Sequence, residues 1–190
     1  SFYGFALMAL GMLIHALCLL PSKSASPHRE PVSIIGTLKA VMRNKHFLRY
    51  WWIAALVFAC YFALISVTPL IFMDALKLSE YRYALVLMVY GVAYLLGGVG
   101  ASYLQKRIPL YRQINIGLAL LTIAGGLLTL IVSMDAITTV TLLIPMLISA
   151  LAVTLVRPAA ISAAMLLFSN SAGTAASAGN SIMFLTAAVS

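Results

Sequence analysis

Charge is what this 190-residue sequence has least of, because only 8% of its residues are Asp, Glu, Lys or Arg. A soluble domain carries roughly 25% charged residues. Hydrophobic residues make up 63% of the chain, and its mean hydropathy is +1.06. Too few charges remain to cover a surface that faces water, which excludes an ordinary soluble enzyme and a disordered tail. The composition therefore predicts an integral membrane protein.

Acidic residues and cysteines are also scarce. Four Asp and Glu stand against twelve Lys and Arg, which gives a net charge of +8. Basic residues gather in the cytoplasmic loops of membrane proteins, so the excess needs no nucleic-acid partner, and we expect none. Cys18 and Cys60 lie inside apolar runs and lack the spacing of a metal site or a disulfide framework. Because the apolar runs hold no convergent cluster of His, Asp, Glu or Cys, we expect no metal, no cofactor, no catalytic residue and no enzymatic activity.

Five apolar runs are long enough to cross a membrane, and a sixth begins near the C-terminus. They are continuous and show no alternation of period two, which is typical of helices. The sequence thus predicts an all-α helical bundle with five complete transmembrane helices and a truncated sixth. The fifth run would measure roughly 43 Å if straight, and we expect Pro145 and Pro158 to bend it. The runs cover residues 2–20, 50–73, 83–104, 113–132 and 140–168, and the sixth starts near residue 173.

The loops between these runs alternate in charge. Residues 21–49 carry six basic side chains against Glu30 alone, and residues 105–112 carry three with no acid. The other two loops, residues 74–82 and 133–139, have no net positive charge. The positive-inside rule therefore places the first and third loops in the cytoplasm.

The second part of the first loop has helical periodicity. Apolar side chains recur there at helical spacing, and Lys39, Arg43 and Lys45 take other positions. This pattern predicts a short basic amphipathic helix on the inner leaflet. The alternative is a cytoplasmic extension of the second span. The apolar positions are Ile34, Ile35, Leu38, Val41 and Met42.

Short motifs flank the first two spans. The first span ends with Leu-Leu-Pro at residues 19–21. Two motifs lead into the second span: Gly-Thr-Leu-Lys at residues 36–39, and residues 44–50. Residues 64–70 and 76–79 follow at its other end. With the order of the elements, these motifs resemble the middle and C-terminal half of a major facilitator superfamily transporter. Within that superfamily they are similar to the Bcr/CflA group of drug-resistance transporters.

The resemblance implies a domain layout and a function. Residues 1–20 would be the last helix of the N-terminal half, helix six, and residues 21–49 the cytoplasmic central linker. Residues 50–190 would be helices seven to eleven, with helix twelve missing, so we expect the chain to be a piece of a longer protein. Its implied function is the export of small amphipathic, drug-like molecules by proton antiport and alternating access. The alternative is a non-transporting membrane scaffold or assembly subunit.

The same resemblance implies the surroundings of the protein. We expect a multi-pass protein in the lipid bilayer of a bacterial inner membrane, monomeric when full-length, with a small-molecule substrate and protons as the coupling ion. No carboxylate that could carry the proton lies within the apolar runs. The acidic carrier is therefore expected in the missing half.

Arg157 is the foremost candidate for a functional site. A charge inside a span costs roughly 2.5–3.5 kcal/mol by insertion scales. We expect Arg157 either to face a cavity or a partner, or to snorkel to the inner headgroups.

Several uncharged polar residues are further candidates for a drug pocket, which is mostly apolar with a few polar groups. Packing within the bundle is the alternative for the aromatic ones, and hydrogen bonding to their own helix is the alternative for hydroxyls in the fifth run. Ala93, Gly97 and Ala101, four residues apart, predict a helix-packing seam on the face of the third run opposite its tyrosines. The pocket candidates are Tyr61, Thr68, Tyr90, Tyr94, Ser149, Thr154 and Asn180.

Overall fold

A computed structural model describes residues 34–189, and within this range the chain is helical and contains no strand. Four helices are long and apolar enough to cross a membrane, which confirms the second to fifth predicted spans. The predicted first span, residues 2–20, and the linker up to residue 33 lie outside the described residues. The elements are α1 (Ile34–Arg43), α2 (Lys45–Pro69) with a π-helical turn (Leu70–Ala75), α3 (Glu80–Gln105), α4 (Leu110–Ser133), α5 (Thr139–Leu166), a short 3₁₀ turn (Ser169–Ser171) and α6 (Ala172–Val189).

The amphipathic segment forms a helix of its own. It ends at Arg43, and Asn44 is the N-cap of α2. The side-chain oxygen of Asn44 accepts hydrogen bonds from the backbone N–H groups of His46 and Phe47, both at 3.0 Å. Val41 is fully buried in a cluster with Phe47, Trp51 and alanines of α5 and α6. α1 therefore does not continue into the second span, and its position on the inner leaflet stays a prediction.

The far end of α2 changes its winding at Pro69. Proline has no N–H to donate, and the chain after it continues as a π-helical turn. The backbone N–H of Leu76 accordingly donates to the carbonyl of Ile71, five residues earlier, at 2.9 Å. The wider turn accompanies the burial of Phe72 in a cluster with residues of α3 and α5.

Helix α5 is the centre of the bundle, and α2, α3 and α4 all pack against it. Half of its apolar part is buried, compared with 22% for α2 and α3 and 11% for α4. α4 packs chiefly on α5 and scarcely on α3, so it is an outer helix. The prolines at 145 and 158 lie inside α5 without interrupting it. The bend expected at these two positions stays a prediction.

Small residues allow the helices to approach α5 closely. A Cβ added at Gly97 of α3 would clash with Oγ1 of Thr154 and would lie 3.1 Å from Cδ2 of Leu151. A Cβ at Gly117 of α4 would lie 3.0 Å from the carbonyl oxygen of Ala152. Hydrophobic surfaces gain little by association in lipid, so close packing of small residues is a main source of helix association there.

The expectation that the small-residue seam of α3 lies opposite its tyrosines is wrong. Tyr90 is buried against Met146 and Ala150 of α5, and Gly97 adjoins α5 as well. Residues 90 and 97 are seven apart, which is close to two turns of 3.6 residues, so they share one face. Ala101 on this face is buried, and Ala93 is half-buried.

Gly97→Ala should lower the thermal midpoint of the full-length protein in detergent, because the new methyl group overpacks the contact with α5 at a cost of about 1–3 kcal/mol. Gly100→Ala is the matched control. A Cβ at Gly100 meets nothing within 4 Å, and we expect an unchanged or higher midpoint. Equal midpoints for the two variants would contradict the close approach of α3 to α5.

Candidate functional site

Arg157 lies within the bundle, beside an aromatic ring of another helix. Its guanidinium carbon Cζ is 4.6 Å from the ring centroid of Phe58 on α2, which is the geometry of a cation–π contact. Its Nε atom is buried and has no hydrogen-bond partner among the described residues. Arg157 is 18 residues beyond Thr139, the first residue of α5, which is about 27 Å of helix. By the predicted orientation it therefore lies in the cytoplasmic half of the span.

A cavity of about 450 Å³ opens beside Arg157 between α3 and α5. Its wall is mostly apolar, with a few polar groups and one charge, which is the usual composition of a small-molecule site. The lining residues are Tyr94, Gly98, Val153, Thr154, Arg157, Pro158, Ile161 and Ser162.

Three tyrosines join α2 to α3 next to this cavity. The ring centroids of Tyr61 and Tyr90 are 6.3 Å apart with nearly parallel planes, and those of Tyr61 and Tyr94 are 5.7 Å apart. Tyr94 belongs both to this tyrosine cluster and to the cavity wall. Three of the predicted candidates, Tyr94, Thr154 and Arg157, thus line one cavity. Tyr61 contacts the ring of Tyr94 but does not line the cavity.

Tyr90 and Ser149 are packed inside the bundle and do not line the Arg157 cavity. Tyr90 is 4% exposed, and its hydroxyl is buried without a hydrogen-bond partner among the described residues. The neighbouring hydroxyl of Ser149 donates to the carbonyl of Met146 in its own helix at 2.7 Å.

The remaining candidates differ in position. Thr68 is buried at the C-terminal end of α2. Its hydroxyl donates to the carbonyl of Leu64 at 2.6 Å. Thr154 donates to the carbonyls of Ala150 and Leu151, at 3.0 and 2.9 Å, as expected of a hydroxyl within a helix.

Asn180 is exposed on α6 and does not line the Arg157 cavity. It lies one turn before Phe184, whose ring meets that of Phe58 edge-on at 6.3 Å. Asn180 is therefore on a face of α6 that adjoins the aromatic support of Arg157.

Gln113 of α4 is a buried polar residue that does not stand out in the sequence. It is fully buried, and its Nε2 donates to the carbonyl oxygen of Leu155 at 3.0 Å, while its Oε1 has no partner among the described residues. Leu155 and Arg157 are two residues apart, about 200° around the helix. Gln113 therefore holds α5 from the side opposite to Arg157. The signal in the sequence was its spacing of four from Gly117, which marks the buried face of α4.

A second and larger groove of about 620 Å³ runs between α2 and α6. Its lining side chains carry one hydroxyl, one thiol and one indole N–H as polar groups, and no charge. It therefore has less capacity to orient a polar ligand than the Arg157 cavity has. Its walls are formed by Trp52, Leu56, Ala59, Cys60, Ala63, Leu185 and Thr186.

The carboxylates of the described residues all lie at one end of the bundle. Asp74, Glu80 and Asp135 lie in or next to the turns that join α2 to α3 and α4 to α5. Arg157 lies towards the other end of α5. Within residues 34–189, no three His, Cys, Asp or Glu side chains are grouped so that they could hold a metal ion. The described part of the site can thus offer one cation, aromatic rings and hydroxyls to a ligand.

Comparison with known proteins gives one family. The family model described as the Major Facilitator Superfamily matches residues 1–190 of the chain. The search of curated proteins with this chain gives no match.

Tyr90→Phe should leave the thermal midpoint of the full-length protein unchanged or raise it. The substitution removes a buried hydroxyl that has no described hydrogen-bond partner, and such a group carries an uncompensated desolvation cost of about 1–3 kcal/mol. Tyr90→Ala is the control, because loss of the buried ring should lower the midpoint strongly. A clear loss of stability in Tyr90→Phe would show that the hydroxyl is hydrogen-bonded in the intact protein.

Proposed function

We propose that this chain, which belongs to the major facilitator superfamily, is part of a secondary active transporter that exports small amphipathic, drug-like molecules. Members of this superfamily are membrane transporters of small molecules, and the family match extends over residues 1–190. Four described helices are able to span a membrane, which supports a multi-pass protein. The bacterial inner membrane and a monomeric full-length protein are part of the proposal.

In this proposal α2 to α6 are helices seven to eleven of the transporter. Residues 1–20 are the last helix of the N-terminal half, and residues 21–49 are the cytoplasmic linker, which includes α1 and the first residues of α2. The separation of α1 from α2 at Asn44 and the order of the long helices support this layout. The substrate would lie near the midplane between the two halves, which rock to alternate access.

The observation that carries the proposal is the position of Arg157 within a span, at a cavity whose mostly apolar wall includes the ring of Tyr94. A charge in this position is expensive and is a functional hypothesis by default. Phe58 of α2 and Tyr94 of α3 flank it, so three helices contribute to one site. Rings and hydroxyls of this kind fit small amphipathic ligands.

Membership of the Bcr/CflA group and coupling to protons are the finer parts of the proposal. The motifs at residues 19–21, 36–39 and 64–70 support the group. The three described carboxylates lie at helix ends, so we place the proton-carrying acid outside residues 34–189.

Cells that express the full-length protein should resist members of a drug panel, and an uncoupler of the proton gradient should abolish the resistance. Arg157→Leu should lose resistance at equal membrane expression, because the cavity loses its charge. Arg157→Lys should keep part of it, because the charge remains without the planar guanidinium.

Three results would contradict parts of the proposal. If no compound of the panel is exported, the chain belongs to a scaffold or to a transporter of another substrate class. Export that continues in the presence of the uncoupler would contradict proton antiport as the energy source. Wild-type resistance from Arg157→Leu would remove Arg157 from the substrate site, because a merely snorkelling arginine tolerates leucine.

A further inference from the structure

We propose that Arg157 binds an anionic group of the transported molecule, so that the cavity selects aromatic monoanions such as aryl carboxylates over their neutral analogues. The inference rests on the proposed function and specifies the substrate class of the same site. It depends on three features: the charge balance around Arg157, the geometry of its guanidinium group, and the chemistry of the cavity wall.

The charge of Arg157 is not balanced by a carboxylate of the described helices. Asp74, Glu80 and Asp135 lie in or beside the turns at the other end of the bundle. Arg157 is separated from the start of α5 by about 27 Å of helix. A cation inside a span is stabilised by pairing or by water, and the cavity beside Arg157 has room for a ligand that supplies the opposite charge.

The contact with Phe58 fixes the guanidinium but does not satisfy its donors. A cation–π contact is made with an aromatic ring and supplies no oxygen or nitrogen acceptor for the N–H donors of the guanidinium. The Nε atom is buried without an acceptor among the described residues. Two parallel N–H groups of a guanidinium match the two oxygens of a carboxylate, and such charge-assisted pairs are about twice as strong as neutral hydrogen bonds.

The rest of the wall suits the aromatic part of the same ligand. Tyr94 lines the cavity and packs on Tyr61 at 5.7 Å, so an aromatic surface lies next to the cation. Val153 and Ile161 add apolar surface from α5. A ligand with a ring and one negative charge would use the aromatic surface, the apolar surface and the guanidinium at once. An organic cation would meet the like charge of Arg157.

Two other anions are able to occupy the guanidinium edge: a lipid phosphate, or a carboxylate from a part of the chain outside residues 34–189. Either would leave the cavity without preference for an anionic ligand. We therefore compare the affinities for a carboxylate and for its neutral isostere. A preference for the carboxylate indicates a substrate anion, and equal affinities indicate a lipid phosphate or a carboxylate of the chain.

The test uses the full-length protein in nanodiscs of zwitterionic lipid, titrated calorimetrically with biphenyl-4-carboxylate and with biphenyl-4-carboxamide at pH 7. We expect the wild type to bind the carboxylate about tenfold more tightly or better, which is the usual size of a hydrogen bond to a charged group. Arg157→Met should reduce carboxylate affinity to that of the amide and leave amide affinity unchanged. Arg157→Lys should keep part of the preference.

Arg107→Met is the matched control. The guanidinium of Arg107 also lies 4.6 Å from an aromatic centroid, that of Tyr103, but Arg107 is exposed just beyond the end of α3. The variant removes the same charge outside the cavity, and we expect it to keep the wild-type preference.

The inference is overturned if the wild type binds neither probe, binds both equally or prefers the amide. It is also overturned if Arg157→Met keeps the preference, or if Arg107→Met abolishes it as fully as Arg157→Met does. Its failure is distinct from failure of the proposed function. Proton-driven export of neutral amphipathic compounds, without preference for carboxylates, would retain the transporter and discard the anion site.

Discussion

The close approach of α5 to its neighbours is the constraint on which the rest of the described bundle depends. Alanines 152, 159, 160 and 164 of α5 are fully buried, and Gly97 and Gly117 remove the side chains that would hold α3 and α4 away. The hydrophobic effect contributes little to the association of helices in lipid, so dispersion contacts between small residues must supply much of the attraction. A helix packed on three sides in this way has few rotations open to it. The direction of its one charged side chain is therefore decided by packing.

This constraint gives Arg157 its environment. On one side of α5, the buried amide of Gln113 donates to the carbonyl of Leu155. On the other side, the ring of Phe58 receives the guanidinium at 4.6 Å. The result is a cation in contact with an aromatic ring at the edge of a cavity, and its buried Nε has no hydrogen-bond partner among the described residues. Fixed donors do not have to reorganise when a ligand arrives, which favours affinity and selectivity.

The sequence predicted the spans well because composition alone decides them. A run of about twenty apolar residues is long enough to cross a bilayer and is unfavourable in contact with water. A charged residue such as Arg157 within such a run is therefore easy to recognise. Rotation about a helix axis was harder to predict. Tyr90 and Tyr94 are four residues apart and equally plausible as pocket residues, yet Tyr90 is buried against α5 and only Tyr94 lines the cavity. Their difference depends on where α5 lies, which is a long-range property. Gln113 was missed because a polar residue in the first turn of a span usually reaches the headgroups.

The most direct test of this account is whether position 157 faces water or lipid in the membrane. In full-length protein in which every native cysteine, Cys18 and Cys60 included, is replaced by serine, Arg157→Cys should react with a membrane-impermeant, anionic methanethiosulfonate reagent applied to inside-out vesicles. Ile123→Cys is the control, because Ile123 is 53% exposed on the outer helix α4 and should face lipid. Reaction at position 157 and protection at position 123 is the predicted result. Equal protection of both thiols would place Arg157 outside any water-filled cavity and contradict the account.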